Sequence, residues 1–575
     1  MRRQQVSIVL AGSGGAGVLT AGSLLLEAAA AVGWYGLMTR SLGPQIRGGE
    51  AAAMIRLGEA PVACHGDRFD VVVALDWHNI ERFTSEIPMD AASVLVGDPA
   101  EGEAPARLLA SGPRVAMLPI AELLKTVPKG RANMVALGAV AEMVGLPVAA
   151  ILDVLVRQLA HKGQSAIDAS AKALAAGQCA AAAFPPITRL VAGVPQGARW
   201  SINGNQAAAL GALRCGVRFV AGYPITPATD MLEWLARELP KVGGVVVQVE
   251  DELASINQII GASYGGVPAL TATSGPGLSL MAESLGLAIA AEIPLVVANV
   301  MRVGPSTGIA TKSEQTDLNL AVYGQHGEAP HLVTAPLSVA DCLFTMQWTV
   351  HLAEALQTPA ILLSDQTLAQ AQAIIPRPAD VHFLPRREVA LAPVEGQPQY
   401  LRYALTGSGV SPMAIPGTPA CMHVAEGLEH NAAGRPSSLS EDHQAQMDKR
   451  LRKLTGFDYG EHWAAIDGPA GAPFSIVTWG SSTEPVREAV VRLRERGIAP
   501  RLIALRLISP ARPEQFAKAL DGIERMLIVE QSHSGQLYRY LRAHYELPGE
   551  VRMLLQPGPL AIRPGAVLQR LEGWI

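Results

Sequence analysis

Apolar positions along this chain fall into short unbroken runs separated by amphipathic stretches. This is the alternation expected of strands buried on both faces and the helices that cover them. Val6-Ser7-Ile8-Val9-Leu10-Ala11 reads as the first strand, followed by the turn Gly12-Ser13-Gly14-Gly15-Ala16-Gly17 and a helix over 18–32. Further strands are predicted at 70–75 and 93–96. An Ala-rich tail over 171–183 then meets Phe184-Pro185-Pro186, and the proline pair marks a linker.

A second αβ region opens at Ile202-Asn203-Gly204-Asn205. It predicts helix 206–215, strand 218–221, helix 228–237, strand 244–249, helix 252–264 and strands 269–272 and 295–299, ending near Asp365. From about 370 to 470 the rhythm is lost, apart from a helix near 442–454, and the stretch reads as a long connecting excursion. A third αβ unit restarts at Ser475-Ile476-Val477-Thr478-Trp479, with helix 484–496, strand 501–507, helix 513–520, strand 525–530 and helix 535–545. The expectation is a multidomain α/β fold divided at 1–187, 188–370, 371–470 and 471–575.

Composition agrees with several cores rather than one. The chain has 575 residues, 49% hydrophobic and 17% charged, with 56 glycines and 41 prolines for tight turns. A net charge of −5 without a long Lys/Arg run offers nucleic acid no electrostatic footprint. No uninterrupted apolar stretch of about 18 residues suggests a membrane span, and the start lacks the pattern of a signal peptide, so a cytoplasmic protein is expected. The five cysteines, Cys64, Cys179, Cys215, Cys342 and Cys421, are scattered and form neither a disulfide framework nor a ligand set for an iron–sulfur cluster.

Gly12-x-Gly14-x-x-Gly17 satisfies the dinucleotide fingerprint in form. The acid wanted about 20 residues on is missing, because Leu37-Met38-Thr39-Arg40 stands there, so close helix–strand packing is the better reason for the glycines. Glu250-Asp251-Glu252-Leu253-Ala254-Ser255-Ile256 carries more chemistry, because an acidic cluster ends a strand and starts an apolar helix. A carboxylate there is ordinarily a cap or a partner of the helix dipole.

With Gly261 nine residues beyond Glu252, and Ala and Ile at helical spacing between, this stretch resembles the pyrimidine-binding domain of thiamine-diphosphate enzymes. The resemblance implies that Glu252 hydrogen-bonds N1′ of the aminopyrimidine as an acid–base group; Glu250 and Asp251 compete for that role. Three further motifs narrow the likeness to the 2-oxoacid:ferredoxin oxidoreductases. Gly222-Tyr223-Pro224-Ile225-Thr226-Pro227 resembles the family's Y-P-I-T-P segment, where Tyr223, Pro224 and Ile225 shape the cofactor site and the Thr226 hydroxyl faces the substrate. Thr273-Ser274-Gly275-Pro276-Gly277 is similar to the turn that backs the cofactor ring.

Arg302-Val303-Gly304-Pro305-Ser306-Thr307-Gly308, continuing through Lys312 to Asp317-Leu318, resembles the segment whose arginine grips the C1 carboxylate of the substrate, a task that suits a planar fork. Ala310 replaces a proline found in many relatives. Ser306, Thr307 and Lys312 are the candidates for the distal part of the substrate.

The resemblance spans most of the chain. Val9 to Gly22 with Gly43-Pro44-Gln45-Ile46-Arg47-Gly48-Gly49-Glu50 resembles the family's γ-type domain, here fused ahead of a catalytic α-type subunit. Gly427-Leu428-Glu429-His430, Arg435-Pro436-Ser437 and Lys449-Arg450 are similar to its connecting segment, and Trp479-Gly480-Ser481-Ser482-Thr483 to a transketolase C-terminal-like domain. His423, Glu426 and His430 lack the further ligands a metal site needs.

No Gly-Asp-Gly occurs to hold Mg²⁺ and diphosphate. The resemblance therefore implies a β-type partner that carries the diphosphate half and a [4Fe–4S] cluster, in a dimer of αβ heterodimers that is inert without it. It implies oxidative decarboxylation of a 2-oxoacid with coenzyme A, reversible in the direction of CO₂ fixation, and ferredoxin as electron acceptor. The γ fusion favours 2-oxoglutarate; pyruvate, a branched-chain oxoacid and a non-redox thiamine enzyme are the alternatives.

Overall fold

The computed structural model describes residues 4–43, 49–193, 197–381, 383–393 and 399–575. The middle of the Gly43 to Glu50 motif lies outside the described residues. The chain divides into two compact units. The first is Met1–Asn203 with Gln370–Ala379 and Ile562–Ala566; the second is Gly204–Ala369, Asp380–Ala561 and Val567–Ile575.

The first unit is built on an eight-stranded sheet in the order Arg114–Met117, Val94–Gly97, Val71–Ala74, Gln5–Ser13, Glu50–Gly58, Tyr35–Leu42, Gln372–Pro376, Arg199–Asn203. The first four strands are parallel and every later neighbour is antiparallel, so the doubly wound expectation holds for half of the sheet only. Sequence reading missed Glu50–Gly58 because it opens on Ala51-Ala52-Ala53, residues with little strand preference that are buried by pairing opposite Leu10, Ala11 and Gly12. The glycine turn serves packing. Asn133 Nδ2 donates to the Gly17 carbonyl at 2.9 Å, and a Cβ on Gly17, at φ 81°, would collide with that side chain.

The second unit carries a seven-stranded sheet in the order Leu507–Ser509, Leu332–Thr334, Pro359–Asp365, Leu295–Met301, Ala269–Thr273, Phe219–Gly222, Val245–Gln248. All are parallel except the first. Every residue of Leu295–Met301 and Pro359–Asp365 is buried, which is why those segments read as unbroken apolar runs; each buried Val or Leu contributes about 1.5–3 kcal/mol. A second sheet follows the order Ala464–Asp467, Arg501–Leu505, Ser475–Trp479, Arg525–Glu530, Glu550–Leu555, with only Ala464–Asp467 antiparallel.

The single strand expected over 501–507 is in fact two strands in two sheets. The chain breaks at Arg506, whose guanidinium pairs with Asp341 at 2.8 Å and donates to the His462 carbonyl at 2.8 Å. Leu507–Ser509 then crosses to lie against Leu332–Thr334.

The stretch read as a long connecting excursion is packed into the folded units. Gln372–Pro376 is a strand of the first unit's sheet, and residues from Asp380 on pack within the second unit. There Arg387 pairs with Glu354 at 2.8 Å, and Arg402 donates to the Glu292 carbonyl at 2.8 Å. Helix Ser440–Thr455 brings Lys449 and Lys453 onto the same Glu292, in a cluster closed to solvent. Burial alone would raise the Glu292 carboxyl, but the charges of Lys453, Lys449 and Arg402 hold it well below the usual carboxylate range. Burial pulls the Lys449 ammonium down to about 7 against the attraction of Glu292. His423 Nδ1 and both ring nitrogens of His430 are within hydrogen-bond distance of backbone carbonyls, and no group that could hold a metal ion occurs among the described residues. Among those residues no helix is long and apolar enough to cross a membrane.

Candidate functional site

The strand order of the second unit creates a crevice. From Phe219–Gly222 the chain adds Val245–Gln248 on one side, then reverses and adds Ala269–Thr273 and Leu295–Met301 on the other. Ligands of open α/β sheets bind outside the carboxyl ends of the strands at such a reversal. The predicted site residues stand there: Tyr223 to Thr226 follow Phe219–Gly222, Glu252 follows Val245–Gln248, Ser274 to Pro276 follow Ala269–Thr273, and Arg302 follows Leu295–Met301.

Burial separates the three acids that the sequence left open. Glu250 and Asp251 are exposed, and Asp251 is committed as the N-cap of Glu252–Tyr264, accepting from Ala254 N at 2.7 Å. Glu252 turns inward and is 6% exposed. None of the described residues donates a hydrogen bond to its carboxylate, so its oxygens are available to an outside donor. Gly277 makes room for it: a Cβ there would stand 2.6 Å from Glu252 Oε1. Beside it the Ser274 hydroxyl is buried without a partner.

Arg302 is 7% exposed and donates from Nη1 to the Thr226 carbonyl at 2.7 Å, while its Nε has no acceptor. The guanidinium thus braces the Tyr-Pro-Ile-Thr-Pro loop with one nitrogen and keeps its Nε side unpaired. Thr226 takes part through its backbone, and its hydroxyl has no partner among the described residues. Asn205 holds the same loop from helix Gly204–Arg214, donating to the Pro227 carbonyl at 2.9 Å.

Beyond Arg302 the chain closes a compact loop: Val303 N donates to the Lys312 carbonyl at 2.9 Å and Ile309 N to the Val303 carbonyl at 3.0 Å. Ser306, at φ 56°, and Thr307 lie exposed on its crown, and Lys312 is half-buried at its base. The following residues are anchored by the C-terminal part of the unit. Gln315 Nε2 donates to the Trp479 carbonyl at 3.0 Å, its Oε1 accepts from Ser482 Oγ and Gln531 N at 2.8 Å each, and Glu314 Oε1 accepts from Gly558 N at 2.9 Å.

A family model described as pyruvate flavodoxin/ferredoxin oxidoreductase, thiamine diphosphate-binding, matches residues 210–449, and one described as pyruvate ferredoxin/flavodoxin oxidoreductase matches residues 7–179. The α subunit of a 2-oxoacid:ferredoxin oxidoreductase of Aeropyrum pernix is 29% identical over 96% of this chain and 98% of its own. The 2-oxoglutarate synthase subunit KorA of Archaeoglobus fulgidus is 36% identical over 59% of this chain and 89% of its own. A solved 2-oxoglutarate:ferredoxin oxidoreductase from Magnetococcus marinus is 33% identical, with a TM-score of 0.92 over 99% of each chain.

The chain belongs to the 2-oxoacid:ferredoxin oxidoreductases, as an α-type subunit. Residues 223–226, Glu252, residues 274–276 and Arg302 follow the carboxyl ends of neighbouring strands of one sheet, whereas Ser306 and Thr307 are exposed on the loop beyond Arg302. Sequence reading did not single out Asn205 or Gly277 as parts of the site. Gly277 and Asn205 lay within quoted motifs, but nothing local marks the side chain that each one meets.

Proposed function

We propose that this subunit, with a β-type partner, carries out the oxidative decarboxylation of a 2-oxoacid with thiamine diphosphate and coenzyme A, and that 2-oxoglutarate is its substrate. The observation that carries the reading is the presence, at one sheet reversal, of an inward-turned carboxylate that receives no hydrogen bond from a described residue, Glu252, and a buried guanidinium whose Nε lacks an acceptor, Arg302. Thiamine diphosphate, when bound, supplies the carbon nucleophile and holds the electron pair that the departing CO₂ leaves behind.

The residues of this chain do the rest. Glu252 would share a proton with the N1′ position of the aminopyrimidine, and Ser274, with a hydroxyl lacking a partner, and Gly277 would help to hold the ring. Arg302 pairs with the C1 carboxylate, the Thr226 hydroxyl donates to the substrate, and Lys312 faces the second carboxylate of a dicarboxylic oxoacid. The chain's scattered cysteines would leave a [4Fe–4S] cluster to the partner, as its lack of Gly-Asp-Gly would leave Mg²⁺ and the diphosphate; such a cluster would supply one-electron transfer to ferredoxin.

The Magnetococcus marinus relative is described with 2-oxoglutarate, coenzyme A and succinyl-CoA bound, which supports both the substrate and the acyl acceptor. The test is a panel of oxoacids on the assembled complex, read by coenzyme-A-dependent reduction of methyl viologen. Highest kcat/KM on 2-oxoglutarate is expected. Preference for pyruvate would overturn the substrate assignment, and product without dye reduction would overturn the redox one.

A further inference from the structure

The substrate loop that begins at Arg302 has its two feet in different sheets. Its first foot is the carboxyl end of Leu295–Met301, in the seven-stranded sheet. Its second foot, 314–316, is tied to the five-stranded sheet and the segments that follow its strands. Glu314 Oε1 accepts from Gly558 N at 2.9 Å in the turn after Glu550–Leu555, and the Thr316 carbonyl accepts from Gln536 Nε2 at 2.8 Å on helix Gln536–His544. Ser313 Oγ, just ahead of that foot, donates to Asp365 at 3.4 Å, and Asp365 in turn accepts from Ser481 N at 3.1 Å.

Gln315 makes the firmest of these ties. It is fully buried and straddles the carboxyl ends of two paired strands, Ser475–Trp479 and Arg525–Glu530. Its Nε2 donates to the Trp479 carbonyl at 3.0 Å, its Oε1 accepts from Ser482 Oγ and Gln531 N at 2.8 Å each, and its backbone N donates to the Gln531 carbonyl at 2.9 Å. The fit is close on both sides. A Cβ on Gly480, at φ 57°, would collide with the Gln315 amide, and a Cβ on Gly558 would lie 2.5 Å from the Ser313 carbonyl oxygen and 2.7 Å from Val303 Cγ2. The last turn of the five-stranded sheet is thus packed against both legs of the loop.

Arg302 takes its place from one sheet, and Lys312, three residues ahead of Gln315, takes its place from the other. Between them runs one direct backbone bond, from Val303 N to the Lys312 carbonyl at 2.9 Å. The separation of the guanidinium from the ammonium therefore follows from where Gln315 fastens the second foot. Small errors in such a separation are costly to a ligand that must reach both ends at once.

We propose that Gln315 is a positioning residue that sets substrate length: it holds Lys312 at the distance from Arg302 that 2-oxoglutarate spans, and so lets the site prefer a dicarboxylic oxoacid over a monocarboxylic one. The proposal rests on the reading of Arg302 and Lys312 as the groups that take the two carboxylates.

The test uses the assembled complex, with 2-oxoglutarate as substrate and 2-oxobutyrate, which lacks the distal carboxylate, as competitor. Gln315→Ala should raise KM for 2-oxoglutarate on the order of tenfold while kcat and the inhibition constant of 2-oxobutyrate each stay within about threefold of the parent. Loss of packing alone would weaken both ligands alike or lower kcat. A parental KM, or a parallel rise in the two constants, overturns the proposal.

If that variant does not fold, Gln536→Ala loosens the same foot by freeing the Thr316 carbonyl and Asn319 N. The ratio of the two constants should move in the same direction, and an unmoved ratio overturns the proposal equally. Lys312→Met separates the two layers. If it leaves KM for 2-oxoglutarate at the parental value, the underlying reading of Lys312 fails. If it raises that KM on the order of tenfold or more while Gln315→Ala leaves the ratio unmoved, only the role of Gln315 fails.

Discussion

The side chain that Gly277 lacks would occupy space that Glu252 and Thr273 use: a Cβ there would stand 2.5 Å from Glu252 Cγ and 2.6 Å from its Oε1, and closer still to Thr273 Oγ1. The turn after one strand can close on the carboxylate at the start of a neighbouring helix only because that position carries a hydrogen.

Gly277→Ala should therefore displace the carboxylate, together with the Thr273 hydroxyl, without removing it. Turnover at saturating cofactor is expected to fall on the order of 10²-fold, as for a misplacement near 1 Å. Thermal or denaturant unfolding should show a loss of about 1–3 kcal/mol from overpacking. Parental turnover in this variant would mean that the placement of Glu252 does not matter.

Glu252→Gln keeps the volume and removes the charge. Since no described residue donates to this carboxylate, the fold should be unharmed, while oxoacid-dependent dye reduction drops roughly 10²–10⁴-fold. Asp251→Ala gives the contrast. It removes the cap on Ala254 N and should cost about 1 kcal/mol of stability with activity kept. If instead Asp251→Ala abolished turnover and Glu252→Gln did not, the roles of the two acids would be exchanged.

Arg302→Lys retains a positive charge but not a planar fork. Losing one charged hydrogen bond, worth about 1.5–3 kcal/mol, should lower kcat/KM roughly ten- to a hundredfold, chiefly through KM. The change also frees the Thr226 carbonyl, so the Tyr-Pro-Ile-Thr-Pro loop should become more susceptible to limited proteolysis. An unchanged KM would remove this arginine from substrate binding.

The cluster of Glu292 with Lys449 and Lys453 predicts two effects of the same sign in pH, in separate ranges. The Glu292 carboxyl is held below its unfolded value, so its stabilisation is full above that value and is lost as pH falls through the acid range. Lys449 is depressed to about 7, so the unfolded chain binds more protons than the folded one above that point, and stability should rise with pH from there toward the usual lysine range. Calorimetry of Lys449→Met should show a flatter rise above neutrality than the parent. Glu292→Gln, which leaves two buried ammonium groups without a counter-charge, should cost about 3–5 kcal/mol. A Glu292→Gln protein that melts with the parent would show that the cluster carries no weight.

What could be read without coordinates follows from how local each signal is. Leu295–Met301 and Pro359–Asp365 lie buried on both faces, so they announce themselves as apolar runs. The motif turns at Tyr223 and Arg302 carry their family resemblance in consecutive residues. The choice among Glu250, Asp251 and Glu252 was not local. Adjacent acids look alike in sequence, and only the path from strand into helix turns one inward and leaves the others in solvent. The junction at Arg506 was equally hidden, because both strands it divides are apolar and the reason for the break, Asp341, lies far back in the chain. Asn299 and Asp317 meet only because the substrate loop folds back on its own strand.

The crossing strand Leu507–Ser509 also bears on how this protein comes into being. Made from its N-terminus, the chain completes the other strands of the central sheet early and leaves Leu332–Thr334 as a bare edge until much later residues arrive. Pairing across so long a stretch closes slowly, and an open edge is what other nascent chains can adhere to. A ribosome-bound chain that ends short of Leu507 should therefore be a client of chaperones. Splitting the gene near residue 470, inside the second unit, should yield two pieces that recover activity only when they fold in each other's presence.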